Sequence, residues 1–413
     1  VRTAAPDRSR RSSRPPRRGA GDIAPEAVLS IALLVLVCIG VVMVYSASSA
    51  SALLSDENPS GMLLRQGSFA LVALIAFGVC ARVDPGLILR LGRPAVLVSL
   101  ALLVVVLVPG FGIEANGARS WLGLGPVQMQ PSELAKLALI VWLAGYLARN
   151  ANRLDTFDAL KKPIGIMIAM GVLLVMEPDL GTTIVLLSTA FVMLVLAGVP
   201  GRVLGLLAGA AAALTAAAIV AAPYRMARFT SFIDPWSDPE GRGFQVTQAQ
   251  LALGSGGVSG VGLGNGLQKV NYLPEAHTDM IIATIGEELG LVGVLGVIAL
   301  LGAVIWSGYR IAMAAPDLRL RLMAGGLVSL ISIQAIVNLG AVLGLLPVTG
   351  VPLPFVSYGG SSLVVLTAAS GILVGISRRS RTRRLAVVPG RPAARGDRSG
   401  RDRRAHHAGA RAG

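Results

Sequence analysis

The 413 residues are 54% hydrophobic and only 14% charged, with a mean hydropathy of +0.69. That balance excludes a water-soluble protein of this size and indicates a polytopic membrane protein. A formal net charge of +15 suggests nucleic acid at first, but seven arginines precede Asp22 and twelve follow Ser377, a distribution that fits cytoplasmic flanks obeying the positive-inside rule and no nucleic-acid partner.

Residues 1–22 are rich in Arg, Ser, Pro and Gly, lack apolar periodicity, and are expected to form a disordered cytoplasmic tail. Ten nearly uncharged stretches follow, at about 27–48, 62–81, 94–113, 131–148, 160–176, 180–199, 203–222, 289–309, 322–346 and 355–377. An even number of spans keeps both termini in the cytoplasm. The loops then placed inside carry Arg82, Arg90, Arg93, Arg149, Arg153, Lys161, Lys162, Arg202, Arg310, Arg319 and Arg321, whereas the outer ones carry Arg65, Arg119, Arg225, Arg228, Arg242 and Lys269. An all-α polytopic membrane domain of about ten transmembrane helices is thus predicted over 23–377, followed by a disordered Arg-rich cytoplasmic tail over 378–413. Cys38 and Cys80 fall in apolar spans, read as small buried hydrophobes, and predict no disulfide. The first apolar stretch is expected to stay as a span, because it lacks a signal-peptide cleavage site.

Along the chain, polar residues interrupt this pattern at few places. The fourth span opens with Pro131-Ser132-Glu133-Leu134-Ala135-Lys136, where Glu133 and Lys136 are three apart and can pair, and Lys136 is the one basic residue inside a span. The fifth and sixth spans meet at Glu177-Pro178-Asp179; Pro178 ends one helix and Asp179 can cap the next, although two carboxylates in one tight turn also suit a cation or a substrate. The long outer segment 223–278 exceeds an ordinary connection and is expected to be functional. Residues 243–251 within it have amphipathic helical spacing, and the glycines from Gly254 to Gly266 predict turns. Gln334 and Asn338 lie one turn apart and read as contacts to a neighbouring helix.

The densest set of ionisable groups is Tyr272-Leu273-Pro274-Glu275-Ala276-His277-Thr278-Asp279 with Glu287 and Glu288 beyond it. Charges at a bilayer cost roughly 2.5–3.5 kcal/mol each, so a chain keeps them there chiefly for function. From Asp279 to Tyr309 a continuous helix would run about 46 Å, against a hydrocarbon core of about 30 Å, which puts Asp279 to Glu288 at the outer mouth. Asp279, with Thr278 as a cap, would sit at a helix start whose dipole favours the ionised form; as a base it stays weak unless burial raises its pKa. His277 reads as a packing or hydrogen-bonding residue, and zinc-type ligand spacing is absent. Magnesium or manganese held by carboxylates stays open, with the metal unidentified. Phosphate-loop and dinucleotide motifs are absent, so no nucleotide is expected.

The ordered strings GARSWLGLGPVQMQPSELAK (117–136), EPDLGTT (177–183), FIDPWSDPEGRGFQVTQAQLALGSGG (232–257), YLPEAHTD (272–279), IGEELG (285–290) and PLPFVSYGGSS (352–362) resemble the SEDS family (shape, elongation, division and sporulation) of integral-membrane peptidoglycan polymerases, its division branch more than its elongation branch. The likeness covers about 27–377. One departure is Met280-Ile281-Ile282, where many relatives carry Phe-Ile-Phe, so only packing is affected. The resemblance implies polymerisation of lipid II at the outer face of the cytoplasmic membrane for septal wall synthesis, with Asp279 taking the place of the family's essential aspartate. Arg119, Glu133, Lys136, Arg225, Arg228, Lys269, Glu275 and His277 are then candidate substrate-binding residues. Glu177, Asp179, Glu287 and Glu288 are candidate cation or structural residues. A class B penicillin-binding transpeptidase and other division proteins are the implied partners. A lipid II flippase or other transporter, a non-catalytic division scaffold, and an elongation polymerase are the alternatives.

Overall fold

The computed structural model describes residues 24–54, 60–115, 118–124, 127–270 and 273–387. The expectations for the tail before residue 24 and for residues 388–413 lie outside the described residues, as do Gly117, Gly125, Pro126 and Tyr272 of the motifs and the side chain of Arg225. In chain order come α1 (Pro25–Leu54), α2 (Ser60–Cys80), α3 (Pro85–Leu107), β1 (Gly112–Ala115), β2 (Ala118–Leu124), β3 (Val127–Met129), α4 (Pro131–Arg149), α5 (Phe157–Met176), α6 (Leu180–Leu196), α7 (Gly201–Val220), α8 (Pro223–Ile233), α9 (Phe244–Ser255), α10 (Ile281–Ala314), α11 (Leu318–Val342) and α12 (Gly360–Val387). Among the described residues nine of these helices are long and apolar enough to cross a membrane, and the apolar α6 falls just short in length. Together they correspond to the ten predicted spans. The remaining two, α8 and α9, occupy the long outer segment, α9 where amphipathic spacing placed it.

Local chemistry explains several starts. Pro85 and Pro131 stand at first helical positions, where a missing N–H costs nothing. Asp179 and Asp317 cap α6 and α11 by accepting from Thr182 N and Leu320 N, both at 2.9 Å. The centre of the bundle is α4, α11 and α12, whose apolar windows are 78%, 78% and 83% buried, whereas the window of α7 is 0% buried and stands at the periphery.

Four features differ from the sequence reading. The strands β1, β2 and β3 form a three-stranded antiparallel sheet in that order, with Ile113 opposite Trp121 and Leu122 opposite Met129, so the third span ends at Leu107 and starts earlier, at Pro85, tolerating Pro94 inside it. Helix α12 begins at Gly360 and continues through Val387 instead of giving way to a tail at 378; Arg379 pairs with Asp84, Arg381 with Glu26 at 3.8 Å, and Ser377 donates to Glu26, which anchors its basic end. Cys38 is exposed on α1 and Cys80 half-buried, both free.

The fourth difference is in α10, which is broken at Gly290 (φ 65°, ψ −165°), a backbone that only glycine adopts without strain. Leu291 N and Val292 N donate to Gly257 O and Val258 O at 3.0 and 3.2 Å, while the Glu287 and Glu288 carbonyls accept from Val261 N and Gly262 N at 3.0 Å each. The glycine-rich loop is thus spliced into the helix ladder. It splits a short outer segment, 281–289, from the membrane-crossing remainder.

Candidate active site

Asp279 lies in the turn that leads into the outer segment of α10, 7% exposed. Its carbonyl accepts from Asn338 Nδ2 at 2.7 Å, and the same amide donates to Val351 O at 2.8 Å, so α11 holds the turn and the 349–353 strand of chain together. Thr278 does not cap α10; Met280 holds that position without a side-chain bond, and Thr278 Oγ1 donates to Glu275 Oε2 at 2.6 Å and to Asp279 Oδ1 at 3.4 Å. Glu275 adopts φ 56°, in the left-handed region, and its carbonyl accepts from Thr278 N and Met280 N. The His277 carbonyl accepts from Tyr358 N at 2.9 Å and its ring meets the Tyr358 ring at 5.6 Å, so the SYGG string supports the turn from the start of α12.

Burial, and secondarily the charge of Glu275, push the Asp279 carboxyl up to about 7, against the smaller opposing pull of the Arg228 guanidinium. The helix-start expectation of a readily ionised acid is therefore overturned: desolvation outweighs the dipole, and what results is a carboxylate poised near neutrality. Burial likewise lowers the His277 imidazole, keeping it neutral.

The other candidates fall into separate groups. Lys136 Nζ bonds Glu133 Oε1 at 2.8 Å and Gln334 Oε1 at 3.3 Å, with both charged side chains 2% exposed; Gln334 in turn donates to Pro352 O and Ser362 Oγ. The charges of Glu133 and Lys136 reach Asp179, whose carboxyl burial raises and whose Oδ2 accepts from Gln130 Nε2 at 3.2 Å. Glu177 is fully buried with neither carboxylate oxygen bonded, and burial pushes it up to about 8. Lys269, a candidate substrate-binding residue, is instead 4% exposed and paired with Glu288 at 2.6 Å. Glu288 also accepts from Ser46 Oγ and Gly264 N, and Glu287 accepts from Leu267 N and Gln268 N, so both are bound to the glycine-rich loop. Arg119 pairs with Glu114 across the sheet at 3.5 Å. Among the described residues no three of His, Cys, Asp and Glu assemble as a metal set. The sequence reading missed Tyr358 and Ser46; a serine in the otherwise apolar run Val41-Val42-Met43-Val44-Tyr45-Ser46 was the available signal.

A family model built from the FtsW, RodA and SpoVE proteins and described as cell cycle protein matches residues 26–382. The chain belongs to this family. Among similar members, stage V sporulation protein E of Bacillus subtilis (strain 168) is 40% identical over 358 residues, covering 86% of this chain and 98% of that one. The probable peptidoglycan glycosyltransferase FtsW of Nitrosococcus halophilus (strain Nc4) is 44% identical over 361 residues, covering 86% and 93%. Among solved structures, a chain of a peptidoglycan synthase complex that coordinates polymerization and crosslinking has a TM-score of 0.71 at 32% identity, covering 85% of this chain and 97% of that one. The rod shape determining protein RodA of Thermus thermophilus has a TM-score of 0.63 at 31% identity, covering 85% and 96%. The chain is thus a multi-pass membrane member of the FtsW/RodA/SpoVE family, and the motif resemblance and the ten-helix architecture agree with it.

Proposed function

We propose that this chain is a peptidoglycan glycosyltransferase that polymerises lipid II into β-1,4 glycan strands at the outer face of the cytoplasmic membrane, for septal wall synthesis, with both termini in the cytoplasm. The observation that carries the reading is Asp279: a buried carboxyl near neutrality, anchored by Asn338 and approached by Arg228, on the outer turn of a membrane helix. Its carboxylate takes the proton from the acceptor's GlcNAc 4-hydroxyl as that oxygen attacks the anomeric carbon of the donor's MurNAc. The bond to the diphosphate breaks, undecaprenyl diphosphate leaves, and the configuration inverts. A diphosphate leaves readily, so one base with nearby positive charge suffices, unlike glycosidases with paired acids. Arg228 is the outer cation whose field reaches Asp279, and Arg225 lies on the same short helix.

An apolar cavity of about 560 Å³ between α6, α7 and α8, lined by Ile184, Ala212, Ile219, Val220, Met226 and Phe229, suits an isoprenoid chain close to those cations. Asp279 as proton acceptor is not also a ligand for magnesium or manganese, and among the described residues no three of His, Cys, Asp and Glu assemble to hold either ion, so one would have to arrive with the diphosphate. Such an ion would supply positive charge to the leaving diphosphate. The similarity to a chain of a complex that couples polymerization with crosslinking supports a class B penicillin-binding transpeptidase as partner. FtsW-named relatives at 40–44% identity favour division over elongation. A flippase would need ionisable relays through several spans; here Lys136 is already bound to Glu133.

The test is lipid II polymerisation by the purified protein with its transpeptidase, in magnesium or manganese, comparing wild type with Asp279→Asn and Asp279→Ala. Strands from wild type alone support the reading, and equal strands from a folded variant remove Asp279 as the base.

A further inference from the structure

The break at Gly290 leaves the outer segment 281–289 without a continuous ladder to the rest of α10. What fastens it instead is a compact buried network. Lys269 Nζ lies 2.6 Å from Glu288 Oε1, 3.1 Å from Ser46 Oγ of α1 and 2.9 Å from Gly264 O. Glu288 Oε2 accepts from Gly264 N at 3.1 Å and from Ser46 Oγ at 2.7 Å. Glu287 Oε1 accepts from Leu267 N and Gln268 N at 2.7 and 3.1 Å. Lys269, Glu287 and Glu288 are 4%, 2% and 0% exposed. Asp279 stands in the turn just before the opposite end of the same segment, which is about 12 Å long, so a small rotation at the fastened end displaces the carboxylate at the other.

We propose that Lys269, Glu287 and Glu288 are positioning residues for Asp279, locking the glycine-rich loop into the break of α10 and thereby setting the angle at which the outer segment presents its carboxylate. This rests on the reading of Asp279 as the base. A displacement of about 1 Å costs a reaction on the order of a hundredfold, and a loosened segment admits water to the Asp279 carboxyl, returning it from about 7 towards the ordinary carboxylate range.

The experiment compares purified wild type, Lys269→Met, Glu288→Gln, the double variant Lys269→Met/Glu288→Gln and the milder Glu287→Gln. For each, kcat and KM for lipid II, the acid limb of the rate against pH, and hydrogen exchange of amides 281–289 are measured. The expected result for Lys269→Met is a kcat lowered about 10- to 100-fold at nearly unchanged KM, an acid limb shifted to lower pH, and faster exchange confined to 281–289. The double variant, which leaves no lone buried charge, should regain part of the loss. Folded variants with wild-type kcat, pH profile and exchange would overturn the proposal. If the single variants fail to fold, Glu287→Gln and the double variant carry the same three readouts. If wild type makes no strands the polymerase reading fails by itself, and if Asp279→Asn makes as many the base assignment fails by itself; in both cases the exchange data still decide whether this network holds the segment.

Discussion

Replacing Asp279 with Asn should abolish polymerisation and stabilise the protein. Burial raises the Asp279 carboxyl from 3.8 to about 7 in the folded chain, so the folded state binds the proton more tightly than the unfolded one. Between those two values stability falls as pH rises, and above about 7 the full cost of holding a buried charge is present. About three pH units at 1.36 kcal/mol each give roughly 4 kcal/mol as the order of that cost. Asparagine keeps the shape without the charge, so at pH 8 the variant should melt higher than wild type by a margin approaching that free energy, and the margin should shrink steadily as pH falls below about 7. Loss of the base should lower the rate by about 10²- to 10⁴-fold, with the wild-type rate itself falling about tenfold per pH unit below about 7. Thermal melting in one detergent across pH 5–8, alongside strand formation from lipid II, provides both readouts. A variant whose melting advantage is the same at all pH values, or one that still polymerises with the wild-type acid limb, would refute the argument from burial to base.

Removing Lys136 alone strands Glu133 as a buried charge and should cost about 3–5 kcal/mol, whereas replacing both with apolar residues should cost much less, as thermal melts will report. Asn338→Ala leaves the Asp279 and Val351 carbonyls without their donor and should destabilise by about 1–3 kcal/mol while lowering kcat more than it raises KM. Glu177, pushed from 4.5 up to about 8 by burial and the charge of Asp179, loses stability as pH rises between those two values, so Glu177→Gln should melt like wild type only near pH 4, above it at pH 7, and by its full margin above about pH 8. Gly290→Ala sets a Cβ against Gly260 N and Val258 O at a positive φ and should fail to accumulate as folded protein, read by size-exclusion yield.

The ten spans were legible because long uncharged runs leave the backbone no alternative but helices in a bilayer. Asp179 as a cap and Gln334 as a contact to neighbouring helices were legible too, since a polar side chain at a helix start or in an apolar stripe has few partners within reach, whereas Asn338, read the same way, ties the Asp279 turn to Val351 instead. The sheet of β1, β2 and β3 was hidden because its first strand follows an apolar run that reads as one helix. The break at Gly290 was hidden inside the continuous helix supposed from Asp279 to Tyr309, since only the loop that enters the break gives that glycine its role. Lys269 read as a free cation because Ser46 lies 223 residues away in sequence and Glu288 19 residues away. Asp279 itself was found by motif and charge density, while its near-neutral carboxyl depended on burial that no single sequence displays.

The splice in α10 also says which kinds of mutation this outer loop can absorb. Residues 257–262 enter the break through their main chain, and Val258 and Val261 leave their side chains 68% and 42% exposed. Exchanging those valines for other residues should be nearly silent, whereas one residue inserted or deleted would slide all four shared main-chain bonds out of register at once. Away from its glycines, the spacing of this stretch matters more than its spelling.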